Sequence, residues 1–228
     1  MRRRFDVLDV WRTLAIVLMV AYHFLYDLYI FGVISANQLF SAPLNVLERF
    51  ICCSFILLAG ASARFSRNNL RHGLIVLGAG LVVEIGAAVA GQTIRFGVLM
   101  LLGSSMVLWH FLGKGLQRLP GWSVAAGSGI LFFAARWWTG RTAVSVPWLY
   151  PLGFISPGFY SADYFPLLPW FFLFLTGTAL GGWCLAHREN RLLTVSLAGA
   201  LTWPGRHSLI IYVLHQPVLY GISYLIWR

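Results

Sequence analysis

Four ionisable residues lie in one apolar stretch near the start of the chain. Residues 6–34 are long enough to cross a bilayer as a helix, yet they contain Asp9, Arg12, His23 and Asp27. Ionisable groups at membrane depth are costly, and they usually face a polar interior where they have a function. Imidazole is the usual general base near neutral pH, and a neighbouring carboxylate can fix its tautomer. We therefore predict that His23 and Asp27 form a catalytic pair.

Helical spacing supports this prediction. Arg12 and His23 are eleven positions apart, which at ~100° per residue returns to within ~20° of the same face, ~16 Å further along the axis. Asp27 follows His23 by one turn, where side chains four residues apart meet. One face of the helix thus presents a cation near one end and an imidazole and a carboxylate toward the other. The alternative is a buried polar pair that serves helix packing.

Polar residues in other apolar stretches are further candidates. Tyr212, His215 and Gln216 lie in the last stretch, where they either line a cavity or form interhelical hydrogen bonds. Arg95 and Asp163 lie at the outer ends of two other stretches and could orient a polar ligand. For Asp163 the alternative is a helix N-cap, because Asp accepts hydrogen bonds from the first amides of a helix.

Arginines follow the second apolar stretch in the segment RFSRNNLR. Arg64, Arg67 and Arg71 could bind phosphate, because a guanidinium grips phosphate bidentately, and Arg206 could add to the same face. The alternative is the excess of cations that cytoplasmic loops carry. A lone carboxylate, Glu84, lies in the third stretch, where it would seek a partner, and we expect a structural role for it.

Composition defines the elements that must position these residues. The chain has 228 residues, is 59% hydrophobic and 11% charged, and has a mean hydropathy of +0.75, which excludes a soluble domain. Backbone groups in hydrocarbon must be paired within helices, so we predict one all-α, polytopic membrane domain over residues 1–228. Seven spans are expected, at residues 8–32, 45–63, 73–91, 97–113, 122–138, 166–186 and 206–227.

Loop charges give the orientation. Cations concentrate in MRRR at the N-terminus and in residues 64–72, 113–120 and 187–191, which alternate along the chain, whereas the other side has few, including Arg228. We therefore expect a cytoplasmic N-terminus, and the net charge of +10 reflects topology rather than nucleic-acid binding. Residues 139–165 should form an ordered outer loop packed over a cavity, and residues 192–205 an interfacial or re-entrant piece. The three cysteines, Cys52, Cys53 and Cys184, are expected to be packing residues.

Several stretches together resemble a known family. Arg-x10-His in the first span is similar to the signature of acyltransferase-3 membrane proteins. The fuller pattern RFDVLDVWRTLAIVLMVAYHFLYDL looks more like the bacterial branch of transmembrane acyltransferases related to heparan-α-glucosaminide N-acetyltransferase. Four later stretches agree, in order: FILLAGASARFSR, RFGVLMLLG, DYFPLLPWFFLFLTGTALG and GRHSLIIYVLHQPVL.

The resemblance implies an acyltransferase of the bacterial cytoplasmic (inner) membrane. It would move an acetyl or other acyl group from cytosolic acetyl-CoA to an amine or hydroxyl, on a sugar or glycan, at the outer side, with no metal. His23, held by Asp27, would remove the acceptor proton, and Tyr212, His215 or Gln216 would stabilise the oxyanion. The cations expected at acyl-CoA are Arg12 at the entrance and Arg64, Arg67, Arg71 and Arg206 on the phosphates.

This sequence differs from the lysosomal heparan-α-glucosaminide N-acetyltransferase at the position of the catalytic histidine. That enzyme carries Asn at the position of His23, and the position of its catalytic His falls near Ile34 here, with no His in residues 28–71. The role of His23 therefore depends on the acyltransferase-3 pattern, and the chain has no large outer domain for a polymer.

Other functions remain open from the residues alone. A small membrane transporter or permease could use the charged residues as a translocation path, and a haem carrier could use His23 and His215 as axial ligands. The sequence leaves open the acceptor, N- versus O-acylation, the acyl chain length, direct transfer or an acyl-enzyme, and assembly into a homo-oligomer.

Overall fold

In the computed structural model, which describes residues 5–142 and 144–227, the chain folds into α-helices and one 3₁₀ helix, Pro147–Leu152, without β-strands in that part. The α-helices, in chain order, are α1 Asp6–Ile30, α2 Ala36–Leu39, α3 Ala42–Phe65, α4 Asn69–Val89, α5 Val98–Leu116, α6 Gly121–Thr139, α7 Leu167–Ala186, α8 Arg191–Thr194, α9 Gly199–Arg206 and α10 Ser208–Trp227. The predicted all-helical architecture is confirmed. The cations of MRRR and Arg228, used above for the orientation, lie outside the described residues.

The number of spans differs from the prediction. Among the described residues, six helices are long and apolar enough to cross a membrane: α1, α3, α4, α5, α7 and α10. The expected fifth span, 122–138, forms helix α6, which has 19 residues but whose glycines, tryptophans and Arg136 lower its hydropathy. Residues 192–205 are too short to span, because their helices are the four-residue α8 and the eight-residue α9, a rise of ~12 Å for the longer one.

The described residues form two compact units. The first is drawn from Met1–Phe55 and His187–Arg228, and the second is Ile56–Ala186. In the first unit, α9 and α10 pack against α1. Its core is apolar and joins α1 to the first half of α3 through Ala15, Ile16, Met19, Ile51 and Phe55. The indole nitrogen of Trp11 also donates to Ser54 Oγ at 3.2 Å.

Glycines allow the helices of the second unit to approach closely. A Cβ at Gly177 of α7 would overlap the carbonyl oxygen of Leu57, and one at Gly60 of α3 would overlap that of Phe174. Gly181 follows Gly177 by four residues, and its Cβ would lie 2.6 Å from the carbonyl oxygen of Ala61. Small residues at this spacing let membrane helices pack backbone to backbone. The α3–α7 contact thus requires glycine at these positions.

The segment between α6 and α7 belongs to the second unit and is ordered by its own contacts. The Tyr164 hydroxyl donates to the carbonyl oxygen of Tyr150 at 2.7 Å. The ring of Phe159 lies between theirs, with centroids 5.6 Å from Tyr150 and 4.8 Å from Tyr164. Burial, with a smaller contribution from Tyr150, raises the pKa of Tyr164 to about 12. Aromatic packing therefore replaces regular structure here.

Candidate functional site

Two histidines meet between α1 and α10 in the first unit. The ring centroids of His23 and His215 are 4.7 Å apart, and the rings are perpendicular. His215 is 9% exposed, and His23 is partly buried. The positions are 192 residues apart in the chain, so only the packing of the first and last long helices brings them together. Because the two rings contact each other edge to face, they leave no room for a haem between them.

The hydrogen bonds of the two rings define their tautomers. His23 Nδ1 lies 2.9 Å from the carbonyl oxygen of Met19, and His215 Nδ1 lies 2.6 Å from that of Tyr212. A carbonyl oxygen only accepts, so each Nδ1 carries the proton in the neutral ring and each Nε2 keeps its lone pair. Neither Nε2 has a hydrogen-bond partner within the described residues. The pair thus presents two unused basic nitrogens.

Asp27 has a different partner from the one expected. Its Oδ1 accepts a 2.7 Å hydrogen bond from Gln216 Nε2, whereas the described hydrogen bonds of His23 include none to Asp27. The ring nitrogen that Asp27 was expected to orient is already held by the carbonyl oxygen of Met19 on the same helix. The predicted contact between His23 and Asp27 is therefore replaced by an Asp27–Gln216 bridge between α1 and α10.

Polar atoms of the bridge, of His215 and of Ser223 further along α10 are buried and have no partner among the described residues. They are Asp27 Oδ2, Gln216 Oε1, His215 Nε2 and Ser223 Oγ. Asp27 and Ser223 are both fully buried. Buried polar groups are normally hydrogen-bonded, and the first three of these atoms are acceptors when Asp27 is ionised. The interface is therefore suited to a ligand or solvent that donates N–H or O–H groups.

These hydrogen bonds also bear on Tyr212, His215 and Gln216, the residues expected to donate to the oxyanion. Gln216 Nε2 already donates to Asp27, and His215 Nε2 carries no proton in the tautomer described above, so it accepts rather than donates. Tyr212 has its ring 5.5 Å from that of His215 and 6.3 Å from that of Phe55. Tyr212 thus lies in the same interface as His215.

Arg12 and Arg206 are not free cations. Arg12 Nη1 lies 3.0 Å from Asp9 Oδ1. Arg206 contacts Asp6 Oδ1 at 2.9 Å and Asp9 Oδ2 at 3.2 Å. Hydrogen bonding to Asp9, with attraction from Asp6 and Asp9, raises the pKa of Arg206. Two carboxylates thus neutralise the two guanidiniums, and the network joins α9 to α1, so Arg12, expected at the entrance, and Arg206, expected on the phosphates, both carry paired charges.

The three arginines of RFSRNNLR lie in the second unit and lack such partners. Arg67 and Arg71 are exposed, and Arg64 is partly buried. No ion pair involves any of them among the described residues. Arg64 lines a cavity of about 580 Å³ formed by the ends of α3, α5 and α7 and the start of α6. This unit therefore contains the unpaired cations that an anionic ligand requires.

The other acidic candidates hold the start of α5. Glu84 Oε1 accepts from the backbone N–H groups of Phe96 and Gly97 at 2.7 and 3.3 Å. Asp163 Oδ2 accepts from Val98 N at 3.1 Å. The structural role expected of Glu84 is confirmed, and Asp163 caps α5 rather than the sixth predicted span. Phe96, whose backbone N–H donates to Glu84, has a positive φ of 56°.

Arg95 lies beside this cap. Its backbone N–H donates to Ser161 Oγ at 2.8 Å, and its guanidinium carbon lies 6.0 Å from the ring centroid of Phe159. The structure thus places Arg95 and Asp163 together in the second unit and Tyr212, His215 and Gln216 together in the first.

Sequence reasoning missed three features of these sites. Asp6 and Asp9 pair with Arg12 and Arg206, two of the cations expected at acyl-CoA. The Asp9–Arg12 pair was a readable signal, because residues three apart on a helix are neighbours. Glu48, which interacts with Tyr22 beside His23, was not singled out. The tryptophans of the Arg64 cavity, Trp109, Trp122 and Trp183, looked like ordinary membrane aromatics.

The fold and this site define a polytopic helical membrane protein with a histidine pair among buried polar groups. The family model described as the catalytic domain of heparan-alpha-glucosaminide N-acetyltransferase matches residues 4–217, and the chain belongs to this family. The resemblance read from the sequence is thereby confirmed, and the protein is an integral membrane protein of an acetyltransferase family. No curated protein and no solved structure matches the chain.

Proposed function

We propose that the protein transfers an acetyl group from cytosolic acetyl-CoA to an amine or hydroxyl of a sugar or glycan at the outer side of a bacterial cytoplasmic membrane. The observation that carries this proposal is the His23–His215 pair, whose Nε2 lone pairs are both unused. Family membership supports the acetyl donor and the sugar acceptor as substrate classes. The buried acceptors around Asp27 and Gln216 suit an incoming N–H or O–H group.

His23 acts as the general base in this proposal. Its Nε2 takes the proton of the acceptor N–H or O–H while the acceptor atom bonds to the thioester carbonyl carbon. The carbonyl oxygen becomes an oxyanion, to which the Tyr212 hydroxyl donates. The oxyanion then collapses, the carbon–sulfur bond breaks, and the CoA thiolate takes the proton back from the His23 imidazolium. Atoms and charge balance without an acyl-enzyme.

The other residues have supporting roles. Arg64, Arg67 and Arg71 of the second unit bind the CoA phosphates, because no ion pair involves them among the described residues. Asp27 orients Gln216 and thereby His215, its neighbour in the chain. Arg12 and Arg206 hold α9 against α1 rather than contacting the donor.

The placement of His23 along α1 agrees with an acceptor at the outer side. Seventeen residues separate Asp6 from His23, a rise of ~26 Å, against a hydrocarbon thickness of ~30 Å. If the N-terminus is cytoplasmic, His23 lies in the outer half of the membrane. Acetyl-CoA would then enter from one side and the acceptor from the other.

The test is acyl transfer by the purified protein in detergent, with labelled acetyl-CoA and a panel of amino sugars and neutral sugars. We expect transfer by the wild type, a loss of at least about 10²-fold in turnover for His23→Gln, and unchanged acetyl-CoA binding in that variant. His110→Gln is the matched control, because this histidine is exposed on α5 and lies outside the site. Wild-type turnover in His23→Gln would remove His23 as the base, and solute flux in vesicles without any transfer would favour a transporter.

A further inference from the structure

The cavity beside Arg64 combines a cation with aromatic walls. It measures about 580 Å³, within the ~300–1,000 Å³ that small-molecule sites occupy, and it lies entirely in the second unit. Three of its lining residues are indoles, Trp109, Trp122 and Trp183. Most of the remaining wall is leucine, valine, alanine and glycine, and its one guanidinium is that of Arg64.

Arg64 is held in place by glycines of α7. A Cβ at Gly181 would lie 2.9 Å from Arg64 Cβ, and a Cβ at Gly182 would lie 3.5 Å from Arg64 Nε. The two glycines therefore form a flat surface along which the arginine side chain lies. No carboxylate pairs with Arg64 in the part of the chain that the structure describes. A partly buried guanidinium with an apolar surrounding and no counter-ion favours binding of an anion, above all phosphate.

The indoles have the exposure that base stacking requires. Trp122 is 76% exposed and Trp183 is 48% exposed, so both offer ring surface to a ligand. Trp109 is only 3% exposed and packs against Gly113, whose Cβ would lie 3.0 Å from the indole Cε2. A tryptophan buried in a cavity wall is not explained by an aromatic belt at the membrane interface, where rings lie at the headgroup level.

We propose that this cavity binds the nucleotide end of the acyl donor. The purine stacks on the exposed indole of Trp122, Trp109 forms the floor, and a phosphate contacts Arg64. The exposed Arg118 lies between two lining residues, Gln117 and Leu119, and adds positive charge at the rim. This inference rests on the proposed function, since it assigns the base-binding part of the acyl-CoA site.

The test compares two donors that carry the same thioester. Acetyl-CoA has the nucleotide and acetylpantetheine lacks it. Stacking of a base on an aromatic side chain contributes ~1–3 kcal/mol, so Trp122→Leu should raise KM for acetyl-CoA by ~5- to 150-fold and leave KM for acetylpantetheine unchanged. Arg64→Gln should show the same selectivity. Trp148→Leu is the matched control, because Trp148 is 71% exposed in the same unit but does not line the cavity.

A binding measurement makes the test independent of turnover. Adenosine 3′,5′-bisphosphate should quench tryptophan fluorescence of the wild type and of Trp148→Leu, and Trp122→Leu should lose most of this quenching. Equal KM increases for both donors, or an unquenched wild type, would overturn the inference. So would displacement of the bisphosphate by vesicles containing phosphatidylglycerol but not by neutral vesicles, because the cavity would then be a lipid site. Quenching without any acyl transfer would instead contradict the proposed function alone.

Discussion

Substitution of Asp27 separates two roles that the residue could have. Asp27 Oδ1 accepts a 2.7 Å hydrogen bond from Gln216, and an asparagine at this position still offers an oxygen of the same geometry. If Asp27 serves only as the partner of Gln216, Asp27→Asn should keep acyl transfer within about threefold of the wild type. If Asp27 instead supports a positive charge on His23, the same change should remove much of the ~10²–10⁴-fold that general base catalysis supplies.

The alanine variant gives the energetic scale. Asp27→Ala leaves the buried Gln216 amide without an acceptor, and an unsatisfied buried polar group costs ~1–3 kcal/mol. For a chain of 228 residues, each kcal/mol lowers Tm by ~2–4 °C, so we expect a decrease of ~2–12 °C. Gln216→Leu should cause a similar decrease, and the double variant should lose less than the sum of the two, because the residues share one hydrogen bond.

The measurements are turnover with acetyl-CoA and thermal unfolding followed by intrinsic fluorescence in detergent. The reasoning is refuted if Asp27→Asn unfolds at the wild-type temperature and is nevertheless as inactive as His23→Gln. That result would show that the carboxylate charge, rather than the bridge to α10, is what the reaction needs.

Three further predictions follow from the helix contacts. Gly205→Ala should lower Tm by an amount equivalent to ~1–3 kcal/mol, because its methyl group would overlap the Asp9 carbonyl oxygen; Gly199→Ala in the same helix, with open space around it, should not. Asp163→Ala should destabilise the protein by ~0.5–2 kcal/mol through loss of the cap on Val98 N, and Asp163→Asn should recover most of this in the same unfolding assay. Arg206→Gln should leave KM for acetyl-CoA unchanged, since its charge is paired, whereas Arg67→Gln should raise it.

Hydropathy located the long helices because each apolar run must be at least as long as a bilayer is thick. The second predicted span, 45–63, falls inside α3, Ala42–Phe65, since the helix extends a few residues beyond the predicted span at each end. Helix α6 has the length of a span, but it contains fewer strongly apolar residues than the six candidate spans. Length and helicity were therefore predictable for all seven helices, whereas composition sets α6 apart from the others.

The sequence singled out the polar residues that meet between α1 and α10, but it did not predict how they pair. Helical spacing placed His23 and Asp27 one turn apart, yet each found another partner, since a backbone carbonyl satisfied the imidazole and Gln216 satisfied the carboxylate. The contact of His23 with His215 depends on how the last helix packs on the first, which no local pattern reports. The pairing of Arg206 with Asp6 is equally long-range.

The carboxylate of Glu84 has a consequence for the turn between α4 and α5. It lies within α4 and accepts hydrogen bonds from the backbone N–H groups of Phe96 and Gly97 just before α5. A residue outside the loop therefore holds the two helices of the hairpin together. The two helices are therefore joined by a contact that does not depend on residues 90–92, and we expect this stretch to accept an inserted label or epitope without separation of the helices.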